Sequence, residues 1–179
     1  MNKYLVIGNP IAHSLSPLLH NYWFKKYRFL DSIYEKKKVE KKDLKKIVEQ
    51  IKNDEVKGVN VTVPFKREIF NFIDTAPYEV QFTKSVNTLV KENDKVVGYN
   101  TDQQGFEISL EENDWDCKDK KILIIGAGGV TPSILSTLIK VDGAEKIYLS
   151  NRTRSKAEEL KKFWDKAIDF YQMKKDTIE

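Results

Sequence analysis

Four short polar clusters in the first part of the 179-residue chain carry the groups that bind and protonate oxygen-rich molecules. They are residues 14–21 (SLSPLLHN), 60–66 (NVTVPFK), 85–88 (SVNT) and 98–105 (GYNTDQQG). Within these clusters, Lys66 and Asp102 are the candidates for acid–base catalysis. A lysine ammonium is protonated at neutral pH and can donate a proton to an oxygen that gains negative charge.

The second cluster continues a strongly apolar run that predicts a strand over residues 56–63. Asn60 and Thr62 fall on the side of that strand opposite the valines, where buried polar groups need a partner. Either a ligand or neighbouring backbone groups satisfy them. Lys66 follows the carboxyl end of the strand, where open α/β sheets bind ligands. Asn87 is similarly embedded in a predicted strand.

Single clusters have ordinary structural explanations. Ser16 precedes Pro17 at the start of a predicted helix and fits a helix N-cap, and Asp102 fits the same role at a later strand-to-helix junction. His20 alone would be a surface or core histidine.

A glycine turn, residues 126–131 (GAGGVT), lies between a predicted strand and a predicted helix. This context is typical of a dinucleotide-binding turn, in which glycine lets the backbone approach a pyrophosphate at the helix N-terminus. The candidate cofactor residues are Gly126, Ala127, Gly128, Gly129 and Val130. Thr131 stands where the fingerprint has its third glycine, and an ordinary tight turn is the alternative.

The segment after the next predicted strand indicates which dinucleotide is bound. NAD enzymes place a carboxylate there for the ribose hydroxyl, whereas NADP enzymes place arginine near the 2′-phosphate. Residues 151–156 (NRTRSK) hold cations and no carboxylate, which favours NADP. The candidates are Asn151, Arg152, Thr153, Arg154 and Lys156. Ser155 and Glu158 also fit a capping box for the following helix.

Apolar periodicity and turn residues predict an α/β protein. Predicted strands cover residues 4–8, 33–39, 56–63, 86–92, 95–99, 121–125 and 146–150, with a hairpin at Asn93-Asp94. Predicted helices cover 17–27, 42–53, 66–73, 103–112, 131–140 and 156–170. We expect a mostly parallel α/β substrate domain over 1–112, and over 113–179 the first β-α-β-α portion of a Rossmann-type NADP-binding domain.

Composition narrows the function classes. The net charge of +4 comes from lysine clusters around residues 36–46, which suggest either a nucleic-acid patch or the solvated face of a helix; the apolar periodicity over 44–51 favours the helix face. No apolar run could span a bilayer. One cysteine, Cys117, and no secretory leader fit the cytoplasm. Two histidines without metal-ligand spacing predict no metal site.

Together the motifs resemble the shikimate dehydrogenase family. The family's order is S-x-S-P-x-x-H-N, N-V-T-x-P-x-K, V-N-T, G-x-N-T-D-x-x-G, G-A-G-G and N-R-T, and this sequence has each in turn. The resemblance implies reduction of 3-dehydroshikimate to shikimate with NADPH, a step of aromatic amino-acid biosynthesis. Six motifs in order are far more specific than any one of them.

The resemblance also implies roles for residues. Ser14 and Ser16 would bind the substrate carboxylate. Thr62, Asn87 and Asp102 would bind ring hydroxyls, with Asn60 in support. Lys66 and Asp102 would form the catalytic pair, so we expect the reverse oxidation, in which Lys66 acts as base, to be favoured at alkaline pH.

The sequence departs from the family by ending early in the cofactor domain. The family continues with further strands and a final helix, so we expect an unfinished sheet with an exposed edge, a truncated gene product and weak or no activity. A substrate-binding or interaction module and a quinate dehydrogenase using NAD are alternatives. Monomer and homodimer are both compatible with the sequence.

Overall fold

The first strand, β1 (Asn2–Gly8), lies between two parallel neighbours in the computed structural model, which describes residues 1–141, 143–163 and 168–170. These neighbours are β2 (Ser32–Lys38) and β3 (Gly58–Val61). The sheet order is β2-β1-β3-β4-β5, in which β4 (Thr88–Glu92) and β5 (Lys95–Tyr99) are antiparallel additions. The chain passes from β1 to β2 on one side of β1, and then from β2 to β3 on the other side of β1. A topological switch point therefore lies between β1 and β3.

Two helices cover opposite faces of this sheet. α1 (Ser16–Lys26) connects β1 to β2, and α2 (Leu44–Lys52) connects β2 to β3. Leu5 and Ile7 pack in the core that α2 completes, whereas Val6 points the other way and packs with Phe24 of α1. The apolar side chains of α2 are buried and its lysines exposed, so the solvated-face interpretation of those lysines is confirmed.

The chain between β3 and β5 is less regular than the sequence suggested. Residues 68–72 form a 3₁₀ turn, and an unpredicted helix, α3 (Tyr78–Thr83), follows Pro77. The predicted hairpin is confirmed, with φ of 47° at Asn93 and 61° at Asp94, as a tight turn between antiparallel strands requires.

The second half begins with α4 (Asp102–Glu112) and β6 (Lys121–Ile125). Next come α5 (Thr131–Ser136), extended by a π-helical turn at Thr137–Val141, and β7 (Lys146–Ser150). α6 (Arg154–Phe163) and β8 (Ile168–Phe170) complete a parallel sheet of order β6-β7-β8. Its core contains Leu110, Leu135, Leu138, Ile147, Leu149, Ala157 and Leu160.

The predicted helix 156–170 is wrong at its carboxyl end, because α6 ends at Phe163 and Ile168–Phe170 pairs with β7. The alternation Ile168-Asp169-Phe170 has the period of a strand. The predicted helix was extended over this strand because the residues before it have the apolar period of a helix. The described residues therefore contain three strands of this unit where two were predicted.

Contacts divide the chain into the units Met1–Thr101 and Asp102–Glu179. The sequence suggested domains of 1–112 and 113–179, so α4 belongs by packing to the second unit. Within the described residues, no helix combines the length and apolar character needed to cross a membrane.

Candidate functional site

The ends of β1 and β3 approach closely at the switch point of the first unit. A Cβ placed on Gly8 would lie 2.7 Å from the Cγ2 of Thr62 and 3.0 Å from the carbonyl oxygen of Val63. The Thr62 N–H donates to the Ile7 carbonyl at 2.9 Å. Glycine is needed here because real Cβ atoms do not approach other atoms this closely, so Gly8 fixes the position of Thr62.

Asn60 connects three strands through its carboxamide. Its Oδ1 accepts the Tyr34 hydroxyl of β2 at 2.6 Å, and its Nδ2 donates to the Asn87 carbonyl at 3.3 Å and to Thr88 Oγ1 at 3.1 Å. Val59 and Val61 are buried in the opposite core, so the predicted alternation is confirmed for these residues. The strand ends at Val61, however, and Val63 is 58% exposed, so the predicted strand 56–63 is too long.

Asn87 is 9% exposed and has its carboxamide bound by two threonines. Its Oδ1 accepts the Thr101 backbone N–H at 3.1 Å and the Thr88 hydroxyl at 3.0 Å. Its Nδ2 donates to Thr101 Oγ1 at 2.9 Å. Thr88 and Thr101 were not among the predicted site residues, although both stand inside the motifs SVNT and GYNTDQQG.

Lys66 lies half-buried on the segment that follows β3. Its carbonyl accepts the Val86 N–H at 2.8 Å, directly before Asn87 in the chain. The Asn87 carbonyl in turn accepts the Val61 N–H at 2.8 Å. The backbone therefore holds the Lys66 and Asn87 segments side by side.

Ser14 and Ser16 are half-buried at the start of α1, and the Ser16 N–H contacts Ser14 Oγ at 3.4 Å. The predicted N-cap role of Ser16 is wrong, because Ser16 is the first helical residue and Leu15 occupies the cap position. Asp102 is half-buried as the first residue of α4, in the second unit.

Tyr34 was missed by the sequence analysis. Its side chain is 4% exposed, and the His20 ring stacks on it with ring centroids 4.1 Å apart and an interplanar angle of 5°. Burial raises the pKa of the Tyr34 phenol and lowers the pKa of His20. At neutral pH the phenol is therefore a protonated donor. A cavity of about 310 Å³ adjoins these rings, lined also by Tyr4 and Asn60.

The glycine turn of the second unit is tied by Thr131. Gly126 has φ +126°, a conformation that favours glycine, and the Gly128 N–H donates to Thr131 Oγ1 at 3.0 Å. The Thr131 hydroxyl donates to the Gly126 carbonyl at 3.3 Å. No atom lies within 4 Å of a Cβ placed on Gly126 or Gly128, so the turn has the open space that a bound pyrophosphate requires.

The basic segment after β7 lies beside this turn, since the Gly126 N–H donates to the Ser150 carbonyl at 2.7 Å. Arg152 is exposed, and the Arg154 Nε donates to Glu158 Oε1 at 2.8 Å. The predicted capping box is wrong, because α6 begins at Arg154 and Ser155 lies inside the helix. The exposed cations beside the open turn fit an anionic cofactor phosphate.

The five candidate cofactor residues of the glycine turn, Gly126–Val130, stand between β6 and α5 as predicted, and Asn151, Arg152, Thr153, Arg154 and Lys156 follow β7. No cluster of three metal-ligating side chains occurs among residues 1–141, 143–163 and 168–170.

The two units have the architecture of a dinucleotide-dependent α/β dehydrogenase, with a polar switch point in one unit and a glycine turn in the other. The model of the shikimate dehydrogenase substrate binding domain matches residues 6–89, and that of shikimate / quinate 5-dehydrogenase matches residues 107–177. The chain belongs to the shikimate dehydrogenase family, so the resemblance predicted from the motifs is confirmed.

Among similar proteins is the shikimate dehydrogenase (NADP(+)) of Pelagibacter ubique, which is 47% identical over 175 residues, 93% of this chain and 65% of that protein. The chain thus spans about two thirds of that relative's length. The Aquifex aeolicus shikimate dehydrogenase structure matches with a TM-score of 0.85 and 39% identity, over 96% of this chain and 63% of that one.

Similar solved structures include complexes with ligands. A shikimate dehydrogenase in complex with NADP+ matches with a TM-score of 0.81 and 38% identity, over 91% of this chain and 55% of that one. The Listeria monocytogenes shikimate 5-dehydrogenase in complex with shikimate and NAD has a TM-score of 0.81 and 31% identity, over 96% and 61%.

Proposed function

We propose that this chain binds 3-dehydroshikimate and NADPH for the reduction that yields shikimate, in the biosynthesis of aromatic amino acids. The observation that carries the proposal is the hydrogen-bonded cluster of Asn60, Asn87 and Thr101 at the carboxyl end of β3, in which Asn87 is buried. Carboxamides and hydroxyls held in fixed orientations recognise the hydroxyls of a small polyol, and family membership indicates which polyol.

The substrate roles follow the family pattern. Ser14 and Ser16 present two hydroxyls at the start of α1 for the substrate carboxylate. Thr62 and Asn87 bind ring hydroxyls, supported by Asn60, and Asp102 binds another. Asp102 directly follows Thr101, whose backbone N–H is bound by Asn87.

Lys66 is the proposed general acid, with Asp102 as its carboxylate partner. Bound NADPH supplies the hydride to the carbonyl carbon of the substrate. Lys66 then donates a proton to the carbonyl oxygen, which becomes the new hydroxyl. In the oxidative direction Lys66 accepts that proton, so alkaline pH favours oxidation.

The second unit is proposed to bind NADPH in preference to NADH. Gly126–Val130 would hold the pyrophosphate, and Asn151, Arg152, Thr153, Arg154 and Lys156 surround the position of the adenosine ribose. The cations attract a 2′-phosphate, which NADH lacks. Relatives have been solved with NADP+ and with NAD, so both dinucleotides belong in the test.

The primary experiment measures consumption of NADPH by the purified chain with 3-dehydroshikimate, with NADH in parallel and quinate compared with shikimate in the reverse direction. Titration of shikimate by calorimetry accompanies it, because binding by the first unit does not require turnover. A folded chain that neither binds shikimate nor consumes NADPH contradicts the proposal.

Lys66→Ala tests the proton donor. If the chain is active, we expect turnover to fall by at least about 100-fold, the usual contribution of a general acid. Lys45→Ala is the control, since Lys45 is exposed on α2 and outside the site. Unchanged turnover in Lys66→Ala would exclude Lys66 from catalysis.

A second function, a substrate-binding or interaction module, is favoured by the position of Asn60, Asn87 and Thr101, which all lie within the first unit. Shikimate binding without NADPH consumption, together with co-elution of a second polypeptide on size-exclusion chromatography, would support this module. We propose a cytoplasmic location for either function, consistent with one cysteine.

A further inference from the structure

A continuous chain of hydrogen bonds joins the edge strand β2 to the proposed substrate site. It begins at the Tyr34 hydroxyl, which donates to Asn60 Oδ1 at 2.6 Å, and passes from Asn60 Nδ2 to Thr88 Oγ1 at 3.1 Å. The Thr88 hydroxyl then donates to Asn87 Oδ1 at 3.0 Å. Each bond therefore connects the Tyr34 hydroxyl, step by step, to the carboxamide of Asn87.

The direction of the chain is set by which atoms can only donate or only accept. A carboxamide can be turned either way, exchanging its oxygen and nitrogen. Because the Asn87 carbonyl can only accept, Asn60 must direct its nitrogen toward it. The Asn60 oxygen then faces the Tyr34 hydroxyl, which donates to it. Without the Tyr34 hydroxyl, Asn60 Oδ1 loses this donor in a part-buried position.

The orientations of Asn60 and Asn87 support each other through Thr88. Thr88 accepts from Asn60 and therefore has its proton available for Asn87 Oδ1. That oxygen also accepts the Thr101 backbone N–H at 3.1 Å, so the Asn87 oxygen is held toward protein donors. The Asn87 amino group is consequently directed toward the Thr101 hydroxyl.

We propose that Tyr34 is a positioning residue, which acts through Asn60 and Thr88 to stabilise the orientation in which Asn87 presents its amino group, a hydrogen-bond donor, to the oxygen of a ring hydroxyl. The inference rests on the proposed function for the identity of the ligand. In this proposal Tyr34 does not itself contact the substrate. The His20 ring stacks on the Tyr34 ring and restricts its movement.

The test records the side-chain amide signals of Asn60 and Asn87 in ¹H–¹⁵N spectra of the full chain without ligand, and then titrates shikimate. In Tyr34→Phe we expect the Asn87 amide signals to move and the shikimate Kd to rise by about three- to tenfold, the effect of one hydrogen bond. Tyr4→Phe is the matched control, because Tyr4 lines the same cavity outside this chain of bonds.

Asn60→Asp is the second variant. It keeps an oxygen for the Tyr34 hydroxyl but removes the donor to the Asn87 carbonyl, so it measures the contribution of Asn60 alone. Asn87 signals that move in Asn60→Asp but not in Tyr34→Phe show that Asn60 acts without Tyr34, and a Tyr34→Phe chain that fails to fold shows that Tyr34 is structural; either result overturns the proposal. Asn87 signals that coincide with wild type in the folded variants overturn the proposal. Failure of wild type to bind shikimate would instead contradict the proposed function, while the ligand-free spectra still decide the role of Tyr34.

Discussion

The hydrogen bonds around Asn87 fix the orientation of its carboxamide without a bound ligand. Burial of a carboxamide destabilises the folded state unless its donors and acceptor form hydrogen bonds, and here two threonines form them. The same bonds select one orientation of the amide. Stability and recognition therefore depend on the same contacts, and substitutions in this network should change both.

Asp74 is a second residue whose contacts give a measurable consequence. Its carboxylate accepts Lys52 Nζ at 2.8 Å and the Val96 N–H at 2.8 Å. The hydrogen bond from Lys52, followed by that from Val96, holds the pKa of Asp74 below its usual value. A depressed pKa in the folded state contributes stability above the ordinary aspartate pKa, and this contribution is lost as pH falls toward the depressed value.

We expect Asp74→Asn to lower the free energy of unfolding by about 0.5–1 kcal/mol at neutral pH, a small effect because the pair is partly exposed. The difference from wild type should shrink as pH falls below about 4. Urea denaturation across pH measures it, and Lys52→Met should remove most of the pH dependence. A difference that stays constant with pH would show that the charge of Asp74 is not responsible.

At the scale of elements, the site depends on how closely β1 and β3 end beside each other. The first unit leaves no room for a side chain at Gly8, whereas Gly105 in α4 has no atom within 4 Å of a placed Cβ. We therefore expect an added methyl group to have opposite effects on stability at Gly8 and at Gly105.

Gly8→Ala should destabilise the protein by about 1–3 kcal/mol, because the added methyl must displace Thr62 or the Val63 carbonyl. It should also weaken shikimate binding, since Thr62 moves. Gly105→Ala should instead stabilise by about 0.5–1 kcal/mol, as alanine favours a helix interior. Denaturant unfolding of both variants checks the signs. Equal effects at the two positions would contradict the close approach at the switch point.

The sequence was sufficient for elements with a clear period and for sites marked by local motifs. The strands β1, β2, β5, β6 and β7 and the hairpin turn agree with their predictions to within about two residues. α3 was missed because six residues after a proline carry too short a pattern. Tyr34 was missed because its partner Asn60 is 26 residues away, and that pairing exists only once β2, β1 and β3 are assembled.

At the scale of the whole molecule, the second unit presents an apolar surface on its sheet. Among the described strands, β6 pairs only with β7, and its residues Leu123 and Ile125 are 44% and 70% exposed. Alternate residues Ile122 and Ile124 face the core. Among the described strands, β6 therefore has an unpaired edge beside exposed apolar side chains, and such edges promote association with other strands.

Leu123→Lys should therefore reduce concentration-dependent self-association of the chain, because a charge on an edge strand opposes pairing with a second copy. Sedimentation velocity over a range of concentrations measures this. Leu30→Lys is the control, since Leu30 is 80% exposed in the first unit and lies outside any strand. If Leu30→Lys reduces association as much as Leu123→Lys does, general surface charge is the cause. If Leu123→Lys has no effect, the association uses another apolar surface, such as the exposed Tyr22 and Trp23 of α1.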